Sequence, residues 1–289
     1  RLDLHNIFFF YYIYYIDEKR VGEVETILMK FPDRRNTLNA KQLHILKLTY
    51  KFRFITAPLL TQYKAMKSRH SMYMTLERLA AQNYLMKRTD NNKDFSNRGT
   101  RYGLAPEGFK VLQEHGFQKE LFHTMYSNKR VTEGFVDHLI DTMRVYLYIN
   151  TTYPETFEIF TRTELASYEA FPSPRPDLYM RHIETNAEYF LELFHDAPPK
   201  NARKRLDDLL EHYDQEGWEQ DNYPTLLFVL ADGRTEGYFT EYAKKVLDNT
   251  GMEDEITVLT TTMKALSTSN PNIWSSVVEP EKLTNLNNL

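Results

Sequence analysis

The chain has 289 residues, of which 42% are hydrophobic and 26% charged, as in a globular protein with room for two domains. It has no cysteine, which excludes disulfides, cysteine-ligated zinc and thiol catalysis and suits a reducing cytoplasm. The net charge is −4, but the charges are unevenly distributed. Residues 30–130 contain 20 Lys and Arg and 7 Asp and Glu, whereas residues 131–289 contain 13 Lys and Arg and 28 Asp and Glu. This change of sign indicates a domain boundary and a basic half that could bind a polyanion.

The first notable segment is the aromatic run IFFFYYIYYI at residues 7–16. A membrane-spanning helix needs roughly 20 apolar residues, so this run is too short, and it lacks the flanks of a signal peptide. Two interpretations stay open: a buried strand or docking arm, or a translated leader upstream of a start at Met29. Residues 1–29 are therefore set apart, and no membrane partner is expected.

Three helices are predicted next. Asn39 suits the N-cap of the first, Pro58 suits the first turn of the second, and Ser68 or Ser71 suits the N-cap of the third. Helical spacing in the third helix places three apolar side chains on one stripe: Met72, Leu76 and Leu79. The opposite face carries Arg69, His70, Tyr73 and Arg78. This face is expected to be exposed and basic.

A β-hairpin and a further helix follow. Residues 84–89 and 100–104 have the pattern of strands around the polar turn DNNKDFSNRG, and the next helix begins near Pro106. Three helices, a basic hairpin and a helix are the order of a winged helix-turn-helix domain, which reads the major groove of DNA with its third helix. A basic helical domain that contacts only proteins is the alternative. The predicted DNA contacts are Lys67, Arg69, His70, Ser71, Tyr73, Arg78, Lys87, Arg88, Lys93, Arg98 and Arg101.

The acidic half alternates between helical and strand patterns. Helices are predicted at 131–149, 200–214 and 237–249, and strands at 157–160, 176–183, 187–194, 224–232 and 255–262. Such alternation predicts a central sheet with helices on its faces. The segment after Ser267 is rich in Ser, Asn and Pro and is expected to be an irregular extension.

Several short motifs occur in a distinctive order. They are YGLAPEGF at 102–109, His138, Arg-Pro-Asp at 175–177, Glu192, His-Tyr at 212–213 and Ala-Asp at 231–232. Over about residues 38–250 this order resembles the replication-relaxation family of plasmid and mobile-element proteins. The resemblance implies DNA binding in plasmid replication or mobilisation, and a second domain of restriction-endonuclease-like fold without a proven catalytic activity.

Residues 175–196 resemble the metal-binding hairpin of such nucleases. Asp177 and Glu192 could supply oxygen ligands to Mg²⁺, and Glu164 could be a third ligand. Those enzymes have a lysine two residues after the second acid, where this chain has Phe194. A cation of the following helix could replace that lysine; the candidates are Lys200, Arg203 and Lys204. The missing lysine and the acidic charge of this half favour a domain that does not cut DNA.

The patterns together predict a two-domain protein of α+β or α/β class. Its segments are a leader or arm (1–29), a winged helix-turn-helix domain (30–130), a mixed α/β nuclease-like domain (131–266) and an irregular tail (267–289). The predicted function is cytoplasmic binding of double-stranded DNA in plasmid replication or mobilisation, which needs no cofactor. The acidic half is expected to contact a partner protein or a second copy. The alternatives are an Mg²⁺-dependent nuclease using Asp177 and Glu192, and a transcriptional regulator.

Overall fold

The structure is a computed structural model. It describes residues 38–63, 68–89, 99–117, 122, 128, 130–218, 222–268 and 270–288. The chain divides into two compact units, 1–45 and 46–289. In the first unit, the side chain of Asn39 accepts a hydrogen bond from the Gln42 amide, as expected of the predicted N-cap. The predicted leader or docking arm at 1–29 lies outside the described residues.

The described residues form eight α-helices and ten β-strands. The helices are α1 (Ala40–Phe52), α2 (Ala57–Tyr63), α3 (Arg69–Ala81), α4 (Pro106–Glu114), α5 (Glu133–Thr152), α6 (Pro199–Asp214), α7 (Gly233–Thr250) and α8 (Met263–Leu266). The strands are β1 (Phe54–Thr56), β2 (Leu85–Arg88), β3 (Arg101–Leu104), β4 (Phe157–Thr161), β5 (Leu178–His182), β6 (Glu188–Phe194), β7 (Thr225–Leu230), β8 (Val258–Thr262), β9 (Trp274–Ser276) and β10 (Leu283–Thr284). The mixed α and β class predicted from the sequence is confirmed.

A small antiparallel sheet contacts α2, α3, α4 and α5. Its order is β1-β3-β2, and the predicted hairpin of β2 and β3 is confirmed with Lys87 opposite Tyr102. Strand β1 was not predicted. Its three residues are all buried, and Ile55 and Thr56 are β-branched, so they fit the pleated surface beside β3.

The YGLAPEGF segment connects this sheet to α4. The Ala105 amide donates to Tyr84 O, and an added Cβ at Gly108 would lie 2.3 Å from the same oxygen. Only glycine therefore allows the first turn of α4 to approach the turn between α3 and β2 so closely. Phe109 and Leu112 are buried on the inner side of α4, as predicted.

The large sheet has seven strands in the order β10-β9-β8-β7-β6-β5-β4. Strands β4, β5 and β6 form an antiparallel meander, while β6, β7 and β8 are parallel and are connected through α6 and α7. Helices α6 and α7 contact each other, and both contact this sheet. Strand β7 is buried from Leu226 to Leu230, as its continuous apolar run predicts.

The C-terminal segment differs from the expectation of an irregular tail. Strand β9 pairs with β8, and β10 pairs with β9 at the edge of the sheet. Trp274 and Leu286 are fully buried. The Ser- and Asn-rich composition predicted a loop, but these two apolar side chains and the pairing with β8 determine the outcome.

The end of α1 is tied directly to the large sheet. Lys51 Nζ donates to Ile159 O at 2.8 Å, and Thr161 Oγ1 donates to Lys51 O at 2.9 Å. Phe52 also packs edge-on against Tyr146 of α5. The two sheets of residues 46–289 are therefore held together by buried contacts. Within the described residues, the helices are all too short or too polar to span a lipid bilayer.

Candidate functional site

Helix α3 has two chemically different faces. Ser68 is its N-cap and accepts a hydrogen bond from the Ser71 amide at 3.2 Å. Met72, Leu76 and Leu79 are buried, as the sequence predicts. We define the α3 face as four exposed side chains of this helix: Arg69, His70, Tyr73 and Arg78. Predicted contact Ser71 is exposed beside them.

Lys87 lies next to this helix. Its Nζ is 2.8 Å from a carboxylate oxygen of Glu77 on α3, and the Tyr102 hydroxyl donates to Glu77 at 2.6 Å. The hydrogen bonds from Lys87 and then Tyr102 lower the pKa of Glu77. The Lys87 side chain remains 39% exposed, so it is accessible to a ligand at this surface.

Two predicted DNA contacts have a different role in the structure. The guanidinium of Arg101 is 2% exposed and lies 2.5 Å from the Asp137 carboxylate. Arg88 is half-buried and donates to Glu133 at 2.8 Å and to Val131 O at 2.7 Å. These arginines hold the hairpin to α5, which corrects their assignment to the DNA-contacting surface. Lys67, Lys93 and Arg98 lie outside the described residues.

The predicted acids Asp177 and Glu192 are adjacent. Leu178 pairs with Leu191 in the β5–β6 register, which places the two carboxylates at the same end of this strand pair. Both are buried, at 5% and 1% exposure. The backbone thus places the two carboxylates close together, as a metal site would need. Whether they could bind a metal depends on the side chains around them.

Asp177 is surrounded by donors. Its Oδ1 lies 2.8 Å from His138 Nε2 and 2.9 Å from an Arg162 nitrogen, and its Oδ2 accepts from the Leu193 amide at 3.0 Å. Burial alone would raise the pKa of Asp177, but the charges of Arg162 and His138 outweigh it and lower this pKa. Burial would also lower the pKa of His138, and the adjacent Asp177 carboxylate raises it instead. Asp177 is therefore a charged, fully partnered group.

Glu192 has a single strong partner. Arg205 of α6 donates to Glu192 Oε1 from two nitrogens, at 2.8 and 2.6 Å. Burial is the main cause that raises the pKa of Glu192 to about 7, and the nearby Asp177 charge acts in the same direction. We call Asp177, Glu192, His138, Arg162 and Arg205 the strand-end cluster.

The cation beside Glu192 is a residue that the sequence reasoning missed. Lys200 and Lys204 are exposed, and Arg203 donates to Tyr238 O. Arg205 is buried together with Ala202, Leu206 and Leu209, which is the helical spacing of the α6 inner face. This spacing is the feature of the sequence that could have identified Arg205 as a buried residue. Phe194, in the position of the nuclease lysine, stacks against Phe228.

Glu164 does not join the two other acids. It accepts from the Thr161 amide at 2.8 Å and pairs with Lys51 at 3.3 Å. A separate pair joins His195 Nε2 to the buried Asp141 at 2.7 Å, and Arg144 also contacts Asp141. Among the residues that the structure describes, no group of three or more His, Asp and Glu is arranged to hold a metal ion.

Two groups of side chains are thus candidates for function. The α3 face is exposed, basic and partly aromatic, which suits a large anionic ligand. The strand-end cluster is buried, and its carboxylates are bonded to arginine and histidine. No protein-family model matches the chain, and no curated protein or solved structure shows significant similarity to it.

Proposed function

We propose that the protein binds double-stranded DNA through the α3 face. In this proposal α2 and α3 form the helix-turn-helix, β2 and β3 form the wing, and α3 enters the major groove. The order of motifs that resembles the replication-relaxation family favours a role in plasmid replication or mobilisation. A second copy or a partner protein would contact the acidic half.

The distribution of side chains on α3 is the observation that carries this proposal. Met72, Leu76 and Leu79 anchor the helix in the core, whereas Met74 and the side chains of the α3 face are exposed. Arg69 and Arg78 lie at the two ends of that face, and Tyr73 is 38% exposed between them. Arginine and exposed aromatic side chains are common where proteins contact phosphates and base edges.

The double substitution Arg69→Ala/Arg78→Ala is expected to weaken binding to duplex DNA by roughly ten-fold or more, since each arginine contact contributes about 1–3 kcal/mol. The slope of log affinity against log salt should also fall by about 2, because two phosphate contacts are lost. Fluorescence anisotropy over a salt series measures both quantities.

Lys244→Ala/Lys245→Ala is the matched control, because it removes the same charge from exposed positions on α7. It should bind DNA like the wild type. Coincident curves for the α3 double variant and the wild type would show that the α3 face is not the DNA-binding surface. Tight binding to one palindromic site, with no effect on plasmid copy number, would instead identify a transcriptional regulator.

Metal-dependent cleavage is the second candidate, and the adjacency of Asp177 and Glu192 is the observation in its favour. A divalent ion between them would have to displace Arg162 and Arg205, which already neutralise both carboxylates. The charge that a metal would supply is thus already present as arginine. We therefore favour DNA binding without cleavage over metal-dependent cleavage as the function.

Incubation of supercoiled plasmid with the protein and Mg²⁺ is expected to leave the plasmid intact, because the arginines occupy the carboxylates. Gel electrophoresis over a range of Mg²⁺ concentrations measures this. Glu192→Gln is the matched variant, since it keeps the shape of the side chain and removes its charge. Nicking by the wild type that disappears in this variant would establish the nuclease and place cleavage ahead of simple DNA binding.

A further inference from the structure

A pocket of about 260 Å³ lies between the end of α1, helix α5, the end of β4 and the segment that leads into β5. This volume is just below the range of about 300–1,000 Å³ usual for drug-sized ligands, so it suits a small ligand. Four cationic side chains line it: Lys51, Arg53, Arg162 and Arg175. Phe135 and Pro174 contribute apolar walls.

The acids next to this pocket are already paired. Glu164 is bonded to Lys51, which also donates to Ile159 O. Asp177 lines the pocket, but both of its oxygens accept hydrogen bonds from groups on the protein, as described above. A positive charge therefore remains at the pocket after these pairs have been accounted for.

Arg175 supplies this charge. Two nitrogens of its guanidinium donate to the carbonyl oxygen of Tyr168, at 3.2 and 2.6 Å. It forms no ion pair with a carboxylate in the described ranges of the chain. The guanidinium is thus fixed in orientation while its charge stays uncompensated, which is the state of a prearranged anion-binding group.

Arg162 adds an unpartnered hydrogen-bond donor, because its charge is already paired with Asp177. One of its terminal nitrogens pairs with Asp177, while its Nε is buried and has no hydrogen-bond partner among the residues with assigned positions. A buried donor without a partner costs free energy, which an incoming acceptor would recover. The side chain is 40% exposed, so a ligand can reach it.

Arg53 adds a like charge to the lining of the pocket. Its guanidinium donates to Asn128 Oδ1 and lies 5.0 Å from the centroid of the Phe135 ring. Burial lowers the pKa of Arg53, and the charge of Arg162 lowers it further. Two guanidinium groups that repel each other across a small pocket are stabilised when an anion binds between them.

We propose that this pocket binds the phosphate group of a small phosphate monoester. Arg162 and Arg175 would donate hydrogen bonds to the phosphate oxygens, a geometry to which the planar guanidinium is matched. Phe135 and Pro174 would contact the organic part of the ligand. The phosphate could belong to a free mononucleotide or to the 5′ end of a DNA strand. This site is separate from the α3 face and does not depend on it.

Isothermal titration of the full chain with deoxyadenosine monophosphate and with deoxyadenosine tests the proposal. The monophosphate should bind, and the nucleoside should not. Arg175→Gln should weaken binding roughly ten-fold or more, because a hydrogen bond between charged groups is lost. Arg234→Gln, at an exposed arginine of α7, is the matched control and should bind like the wild type.

A second variant guards against a folding defect. Arg162→Lys keeps a positive charge beside Asp177 but removes the planar fork, so it should fold and still bind the monophosphate more weakly. Absence of binding to the wild type, or unchanged binding in both folded variants, would overturn the proposal. The variant Arg69→Ala/Arg78→Ala should bind the monophosphate normally, which separates this test from that of the DNA-binding surface.

Competition identifies the source of the phosphate. If a 5′-phosphorylated oligonucleotide displaces the monophosphate and its 5′-hydroxyl counterpart does not, the pocket holds a DNA end. If neither oligonucleotide displaces the bound monophosphate, the ligand is a free nucleotide. Either result supports the phosphate site.

Discussion

Replacing Arg205 by methionine is expected to lower the free energy of unfolding by about 3 to 5 kcal/mol at pH 8, the cost of leaving a buried charge unpaired. The side chain of Glu192 is 2% exposed and has Arg205 as its hydrogen-bonded partner, so the substitution removes the main charge that compensates this buried carboxylate. Urea denaturation measures the loss.

The pH dependence of this loss has a definite sign. Since burial raises the pKa of Glu192 from 4.5 to about 7, the folded protein retains a proton there at pH values where the unfolded chain does not. Lowering the pH below 7 therefore stabilises the folded state through this group, and raising it removes the stabilisation. The effect of Arg205→Met should accordingly be smaller at pH 5.5 than at pH 8.

Two controls accompany this variant. Glu192→Leu/Arg205→Met removes both charges and should recover most of the stability, because an apolar pair of similar volume can replace a buried ion pair. Arg203→Met, two residues earlier on α6, changes a partly exposed arginine and should cost less than about 1 kcal/mol. If the single Arg205 variant were as stable as the double variant, pairing with Glu192 would not be the way in which Arg205 stabilises the fold.

Replacing Arg101 by methionine is expected to cost about 3 kcal/mol of folding free energy, somewhat less than for fully buried pairs. Its guanidinium is almost inaccessible, but the carboxylates that it would leave, Asp137 and Glu133, are 15% and 41% exposed and can be partly hydrated. Affinity of the folded fraction for DNA should not change. Thermal unfolding and fluorescence anisotropy on the same samples measure the two effects.

Lys87→Ala is the matched control, because it is expected to lower DNA affinity and leave stability almost unchanged. Lys87 lies one residue before Arg88 on the same hairpin, but its ion pair with Glu77 is exposed and should contribute less than about 1 kcal/mol. Its loss should weaken DNA binding while stability stays almost unchanged. A drop in DNA affinity for folded Arg101→Met comparable to that of Lys87→Ala would contradict the structural role assigned to Arg101.

The parts of the fold that follow from local periodicity could be predicted from the sequence. Ser68 as a cap, Met72 and Leu79 as core residues, and the buried strand around Phe228 all depend on spacings within a few residues. Strand β1 could not be predicted in this way, because its three residues become a strand only by pairing with β3, about 47 positions later in the register.

The side-chain partners of the candidate sites were the least predictable part. The rotation of α6 about its axis determines which of its cations reaches Glu192. Arg205 lies on the side that faces the sheet, and Arg203 does not. Arg101 was assigned to a basic surface because the sequence shows its charge but not the carboxylate of Asp137, 36 residues away, that covers it. Net charge of a segment thus overstates the charge available to a ligand.

The last strands of the large sheet have a consequence for assembly. Strand β9 occupies the open side of β8, and the short β10 lies outside it as the edge strand. If this terminal segment detached, the main-chain amides and carbonyls of β8 would be exposed as a template for a strand of another molecule. The segment therefore covers the edge of β8 against pairing with another molecule, and the fully buried Trp274 anchors it there.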